Sequence, residues 1–278
     1  MNTSMKSSKQ LSTALTYVVL VLGSIIMIFP FVWMILTSFK TQAEAMAIPP
    51  QILPSSWNFD NFVTALQSLP FVNLYVNTAL LILFRVLCAV IFSSMAGYAF
   101  AKLNFPCKKL LFGIVLIQMM LPSQIFITPQ YLMLARMGLT NSIFALVFPG
   151  LVSAFGTFFL RQTYLGIPNE IAEAAYLDGC NKWQTFTKVM FPLTGSSMAA
   201  LGIFTAVFAY SDLMWPLICN TDLNMMTLSA GLSTLNGQYT TNFPVLMAGS
   251  LLAMIPMVIL YLAFQRNFIE GIAMTGGK

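Results

Sequence analysis

The sequence predicts an all-α integral membrane protein with six transmembrane helices and short amphipathic helices on its cytoplasmic side. Three observations predict it. Hydrophobic residues make up 58% of the 278-residue chain and charged residues only 8%, against roughly 25% charged in an ordinary soluble domain. Apolar stretches recur, and Gln10 to Phe39 is a run of 30 residues without a charge. The basic residues also sort to one side of the implied membrane. A chain so poor in charge cannot solvate a globule of its size. That composition argues against a soluble enzyme, a nucleic-acid binder or a disordered adaptor. The chain has no histidine, so the commonest general base and the commonest zinc ligand are missing.

Spanning helices are expected at 14–38, 77–100, 110–132, 142–160, 194–215 and 243–264. Each is a continuous apolar run near the roughly 20 residues that cross a bilayer. Barrel strands would instead alternate over about ten residues. In lipid the helix satisfies its own backbone hydrogen bonds within one segment. The first run follows Lys6 and Lys9. It is too long for the apolar core of a cleaved signal, about 7–15 residues, so a retained helix after a cytoplasmic N-terminus (1–13) is expected. Pro30, Pro122, Pro129 and Pro256 are candidate kinks within spans. The methionines read as adaptable packing.

Six crossings put both termini on one side. That side receives ten basic residues: Lys6, Lys9, Lys102, Lys108, Lys109, Arg161, Lys182, Lys188, Arg266 and Lys278. The other receives two, Lys40 and Arg136, and Arg85 falls inside a span. The split assigns both termini, including a tail at 265–278, to the cytoplasm. The four cysteines, Cys88, Cys107, Cys180 and Cys219, lack a C-x-x-C spacing. They read as small hydrophobes rather than metal ligands or a disulfide pair.

Two outer segments are longer than turns. In 40–72, Asn58 or Asp60 is placed to cap a short surface helix. The segment 216–242 is polar and rich in Thr, Asn and Gly. Plain connection is favoured for both over a partner surface.

The cytoplasmic segment 161–193 is the most informative. Asn169 is a plausible N-cap, with Glu170 and Glu173 near the positive end of the helix. Ile171, Ala174 and Ala175 are spaced to share one face, and Gly179 suits a left-handed helix end. In a second short helix Trp183, Phe186 and Met190 share a face, and Pro192 stops it or starts the next span. The bland reading is a helix resting on lipid headgroups. Glu170, Glu173 and Asp178 argue against it, because acidic side chains are repelled by anionic cytoplasmic lipid. A protein groove accepting a small-residue helix fits better.

The run Glu173-Ala174-Ala175, then Gly179, then Val189-Met190-Phe191-Pro192 resembles the EAA signature of ABC importer permeases. Cys180 and Phe191 stand where that family commonly has alanine and leucine. The resemblance implies the type I permease fold, with Glu170, Glu173, Ala174, Ala175, Asp178, Gly179 and Pro192 coupling to a cytoplasmic ATPase. It extends to Asn77-Thr78 and to Gly97-Tyr98-Ala99-Phe100-Ala101-Lys102. The stretch 265–271 and the abbreviated ending 275–278 are similar to tails of MalG-type carbohydrate permeases, which reach toward the ATPase dimer. Asp212 with Trp215-Pro216 resembles that subfamily's Trp-Asn-Asp-Phe-x-x-Pro, with Tyr210-Ser211 in place of Trp-Asn.

The implied partners are a second homologous permease in a heterodimer, an ATPase dimer holding ATP and Mg, a solute-binding protein and membrane lipid, with no nucleic acid. No G-x-x-x-x-G-K-[ST] loop occurs in the chain, so no ATP site of its own is expected. The cysteine spacing and the lack of histidine lead to the expectation of no metal or catalytic site. Arg85, Tyr210, Asp212 and Trp215 are candidates for the translocation path. Arg85 either faces an interior or snorkels to an interface. Aromatic rings there either stack on sugar or form an interfacial belt. The competing function is a stand-alone secondary transporter or channel, which needs ion ligands or a polar filter within the spans. A membrane enzyme comes third.

Overall fold

In a computed structural model the described residues are 2–237 and 241–276. The side chains of 2–12, 260, 263–264 and 266–276 fall outside this description, and so do the expected roles of Lys6, Lys9, Arg266, Lys278 and the tail contacts. The described residues are helical or irregular, without strands. They form two compact units: 1–69 with 234–255, and 70–233 with 256–278.

The first unit is built on α1 (Asn2–Ser38), whose 26-residue stretch Thr13–Ser38 is long and apolar enough to span a bilayer. Pro30 lies inside it without ending the helix. The amide of buried Asn61 donates to the carbonyls of Ser38 and Lys40 at 2.8 and 2.9 Å. It thus satisfies acceptors that a helix end leaves open. Lys40 is buried because its ammonium donates to the Gln51 carbonyl and sits 4.4 Å from the centre of the Trp33 ring. Phe39 gathers Trp57, Phe59 and Phe62 around it. In α2 (Gln42–Ala45), Thr41 and Glu44 form a capping box. The Gln42 amide donates to Thr241 O and accepts from Phe243 N, the first residue of the last helix.

α3 (Asp60–Ser68) corrects the expected cap. Phe59 occupies the cap position without a side-chain bond, and Asn58 accepts instead from the Asp60 amide at 2.9 Å. An Asx turn preceding the helix replaces the cap.

The second unit is organised by α4 (Phe71–Lys102), which is also long enough to span. Ala89, Ser93 and Gly97 recur every fourth residue and are buried. A Cβ on Gly97 would lie 2.9 Å from Arg161 N. Small side chains therefore bring α4 against the backbone of the helix that carries Arg161, the packing that small-x-x-x-small stripes allow in membranes.

The expected third and fourth spans are broken. α5 (Lys108–Met120) meets the helical stretch Ser123–Arg136, which ends in α6 (Ile127–Arg136), at 103°. Pro122 stands at the break and offers no N–H to continue the helix. Pro129, in the first turn of α6, is tolerated there. α7 (Ile143–Val147), a tight turn through Pro149 and Gly150, and α8 (Ala154–Leu165) bend by 46°.

The chain continues through α9 (Asn169–Leu177), α10 (Lys182–Gln184), a π-helical stretch at Thr185–Met190 and α11 (Phe191–Leu193). It then turns 75° into α12 (Gly195–Ser211). The expected fifth span thus stops before Asp212, and Trp215 belongs to a separate helix, α13 (Met214–Cys219). After α14 (Leu228–Ser233) comes α15 (Phe243–Gly276), which contains Pro256 and runs on through residues expected to form a separate tail. By length and apolarity the described residues hold two single spans and three bent pairs, and Phe243–Ile259 is a shorter apolar helix.

The connection after α13 is tied to α4. Asn77 donates to the carbonyls of Asn224 and Met226, and Thr78 Oγ1 accepts from Leu228 N. The family-like Asn-Thr pair is thus a buried latch for a loop whose backbone would otherwise lack partners.

Candidate functional site

Two arrangements in the second unit carry functional side chains. The first is the segment 161–193. Pro168 occupies the N-cap position of α9 without a side-chain bond, correcting the assignment to Asn169. Asn169 Oδ1 accepts instead from the Lys102 ammonium at 2.6 Å, and the same ammonium donates to Ile167 O. A charge-assisted bond outcompetes a neutral cap.

The expected shared face of Ile171, Ala174 and Ala175 divides. Ala172 and Ala175 are buried, whereas Ile171 and Ala174 are exposed. Ala172 joins Tyr98, Leu160, Tyr164, Phe186 and Met190 in one apolar cluster. Glu170, Glu173, Ala174 and Leu177 form the outward stripe at helical spacing, with Leu177 90% exposed. Ala175 is buried and helps anchor the helix.

Gly179 ends α9 at φ +84, a left-handed value that glycine adopts without penalty. Cys180 N bonds to Ala175 O at 2.9 Å and Gly179 N to Tyr176 O at 3.0 Å, the paired closure of a Schellman motif. Asn181 and Gln184 then cap the next helix reciprocally at 2.9 Å. Of the face expected there, Phe186 and Met190 are buried, while Trp183 stays exposed. The π-helical stretch displaces the later side chains from ordinary α spacing. Pro192 lies in α11, just before the bend into α12.

The second arrangement is a cavity of about 540 Å³. Gln118, Ser123, Gln124, Gln130 and Ser211 bring polar groups to it, and Phe126, Phe208 and Met214 bring apolar ones. Its charged lining residues are Arg85 and Asp212. Arg85 Nη1 meets Asp212 Oδ2 at 2.8 Å, with side-chain exposures of 10% and 23%. Nη2 and Nε donate to the Leu146 carbonyl at 2.7 and 3.2 Å. Arg85 therefore faces an interior and does not snorkel. Gly150 makes room for it, since a Cβ there would lie 2.8 Å from Arg85 Cγ and Cδ. The Asp212 carbonyl accepts from Ser229 Oγ at 2.7 Å, which fixes the backbone after α12.

Trp215 lines the cavity but is only 4% exposed. Its indole N–H donates to Ala145 O at 2.8 Å, and its ring packs with Leu81, Leu134 and Leu146. It holds the wall and offers little face for stacking. Tyr210, half-buried, is not among the lining residues. Arg85, Asp212 and Trp215 thus come together and Tyr210 does not. The glutamines were missed in the sequence, although Gln118, Gln124 and Gln130 interrupt an apolar run around Pro122.

The second unit thus combines an arginine–carboxylate pair beside a polar cavity with an exposed acidic helix closed by a left-handed glycine. Residues 89–273 match the family described as binding-protein-dependent transport system inner membrane component. The chain is 35% identical over 256 residues to the arabinooligosaccharides transport system permease protein AraQ of Halalkalibacterium halodurans, covering 91% of this chain and 92% of that protein. It is 29% identical to the sn-glycerol-3-phosphate transport system permease protein UgpE of Salmonella typhi, covering 94% and 95%. A crystal structure of a bacterial ABC transporter that imports the acidic polysaccharide alginate contains a chain with the same fold. The TM-score is 0.76 at 20% identity, covering 93% of this chain and 97% of that one. This chain belongs to the family of binding-protein-dependent transport inner membrane components, the membrane permease subunits of ABC importers.

Proposed function

We propose that the chain forms one half of the membrane path of an ATP-driven importer of carbohydrate, paired with a second, homologous permease. Both termini face the cytoplasm in this reading, supported by the ten-to-two division of basic residues. The outward stripe of α9, with Glu170, Glu173 and Ala174 at its centre, docks on an ATPase subunit, and Asp178-Gly179 and Pro192 set the angle at which it meets that subunit. ATP and Mg reside on the ATPase dimer, because this sequence has no phosphate-binding loop. A solute-loaded binding protein engages the outer face. The chain is a two-state helix bundle, and its partners bias it through contacts that differ between states.

The observation that carries the reading is the α9 geometry. An acidic, exposed helix face is held rigidly to the body by Ala172, Ala175 and the Gly179 closure. The carbohydrate assignment draws on the names of AraQ and of the alginate importer. The test is affinity purification from native membranes followed by reconstitution into liposomes. An ATPase and a binding protein should copurify, and sugar uptake should require ATP. Uptake driven by an ion gradient alone would sink the proposal in favour of a secondary transporter.

A further inference from the structure

The relatives named above do not agree on the charge of the solute. One name refers to neutral arabinooligosaccharides, one to a phosphate ester and one to an acidic polysaccharide. The cavity bears on that question. Its lining carries one cation and one anion, joined at 2.8 Å. Three N–H groups of Arg85 are committed, one to Asp212 and two to the Leu146 carbonyl, out of the five a guanidinium has. An anionic solute entering here meets no net positive field. The two N–H groups of Arg85 left over lie beside the Asp212 carboxylate, which repels an anion approaching them. The remaining polar groups are the carboxamides of Gln118, Gln124 and Gln130 and the hydroxyls of Ser123 and Ser211. The carboxamides and the Ser123 hydroxyl both donate and accept, which matches sugar hydroxyls, whereas Ser211 Oγ donates to Val207 O at 2.9 Å and is left as an acceptor; none balances a negative charge.

We infer that Arg85 and Asp212 act together as a specificity device, by which the cavity admits neutral polyhydroxyl solutes and rejects anionic ones such as uronates and phosphate esters. This rests on the carbohydrate-importer reading. Asp212 holds the guanidinium neutralised, and the carboxamides and hydroxyls hold the solute. Rejection by an occupied ion pair is a repulsive element of selectivity, additional to any attractive fit.

The test uses the purified complex of both permeases and the ATPase, without binding protein, so that solute contacts arise in the membrane subunits. Its thermal midpoint is measured against arabinotetraose, tetragalacturonate and glycerol phosphate. The wild type should be stabilised by the neutral tetraose and unmoved by either anion. In Asp212→Asn the freed guanidinium should confer stabilisation by the uronate. In the double variant R85Q/D212N, which carries no unpaired charge, the neutral preference should return. Equal shifts by neutral and anionic solutes in the wild type would overturn the inference, as would a D212N complex that still ignores uronate. The wild-type comparison decides the matter even where D212N fails to accumulate. Failure of the importer reading shows separately, as absence of ATP-dependent uptake of any sugar by the complete system.

Discussion

The Lys102 ammonium lies 2.6 Å from Asn169 Oδ1 and also donates to the carbonyl of Ile167. The last residue of α4 is thereby tied to the first turn of α9, so movement of one is transmitted to the other. Each charge-assisted bond is worth about 1.5–3 kcal/mol when sheltered, and water around the half-buried Lys102 reduces this to about 1 kcal/mol. Lys102→Met should lower ATP-driven uptake several-fold at unchanged membrane abundance. It should also weaken stimulation of the ATPase by loaded binding protein. Uptake and ATPase activity measured on the same vesicles check this.

Gly179 has open space around its Cα, so strain there comes from the backbone alone. A left-handed L-residue costs about 1–2 kcal/mol, less for asparagine and more for a β-branched side chain. Uptake should therefore fall in the order glycine, Asn, Ala, Val at position 179. Glu173→Ala, on the exposed stripe, should impair uptake without affecting abundance. Immunoblots of membranes alongside uptake assays separate coupling from folding, and wild-type uptake in G179V would contradict the assignment.

Removing Asp212 leaves a buried guanidinium without its carboxylate. Breaking such a pair costs about 3–5 kcal/mol, whereas replacing both partners by apolar residues is often neutral. Asp212→Ala should lower the thermal midpoint of the purified complex strongly, and R85M/D212L should recover most of the loss. A larger loss in the double variant than in the single would refute a paired role.

Gly150→Ala should act on the same pair sterically. Its Cβ would press on the Arg85 stem, and overpacking of this kind costs about 1–3 kcal/mol. Gly113→Ala is the matched control, because nothing lies within 4 Å of its added methyl. Thermal midpoints of the two variants should differ accordingly.

The Glu44 carboxyl is lowered from 4.5 to about 2 by hydrogen bonds from the Ser55 side chain, then from the backbone of Thr41 and Ser55. A depressed carboxyl pKa adds stability above its unfolded value and loses it as pH falls toward its folded value. The clasp from Thr41 to Ser55 should hold at neutral pH and loosen between about pH 4.5 and 2. Hydrogen exchange at the Ser55 amide should accelerate over that window relative to the intrinsic rate. In Glu44→Gln the added acceleration should be absent.

The membrane class and the short helices of the segment 161–193 were legible because each rests on a local property. Apolar runs, charge asymmetry and Gly179 after a short helix need no knowledge of distant residues. The breaks in the third and fourth spans were less legible. Pro122 and Pro149 were visible as residues, but a span's apolar count does not register a 103° bend. The caps at Asn169 and Asn58 went astray because each side chain had a better acceptor geometry elsewhere, with Lys102 and with the Asp60 amide.

Composition and charge placement determined that this chain lives in a bilayer, and the sequence, with its resemblance to a permease family, determined that two short helices follow residue 168 and which four residues to consider for the path. The tertiary structure decided which of those four act together. Arg85 and Asp212 are 127 residues apart in the chain and 2.8 Å apart in space. Their pairing depends on how α4 packs beside α12, and so does the meaning of each charge. Trp215 was assigned to the wall and Tyr210 away from the lining for the same reason. A side chain's surroundings in a bundle are set by neighbouring helices, and sequence spacing reports only the neighbours on its own.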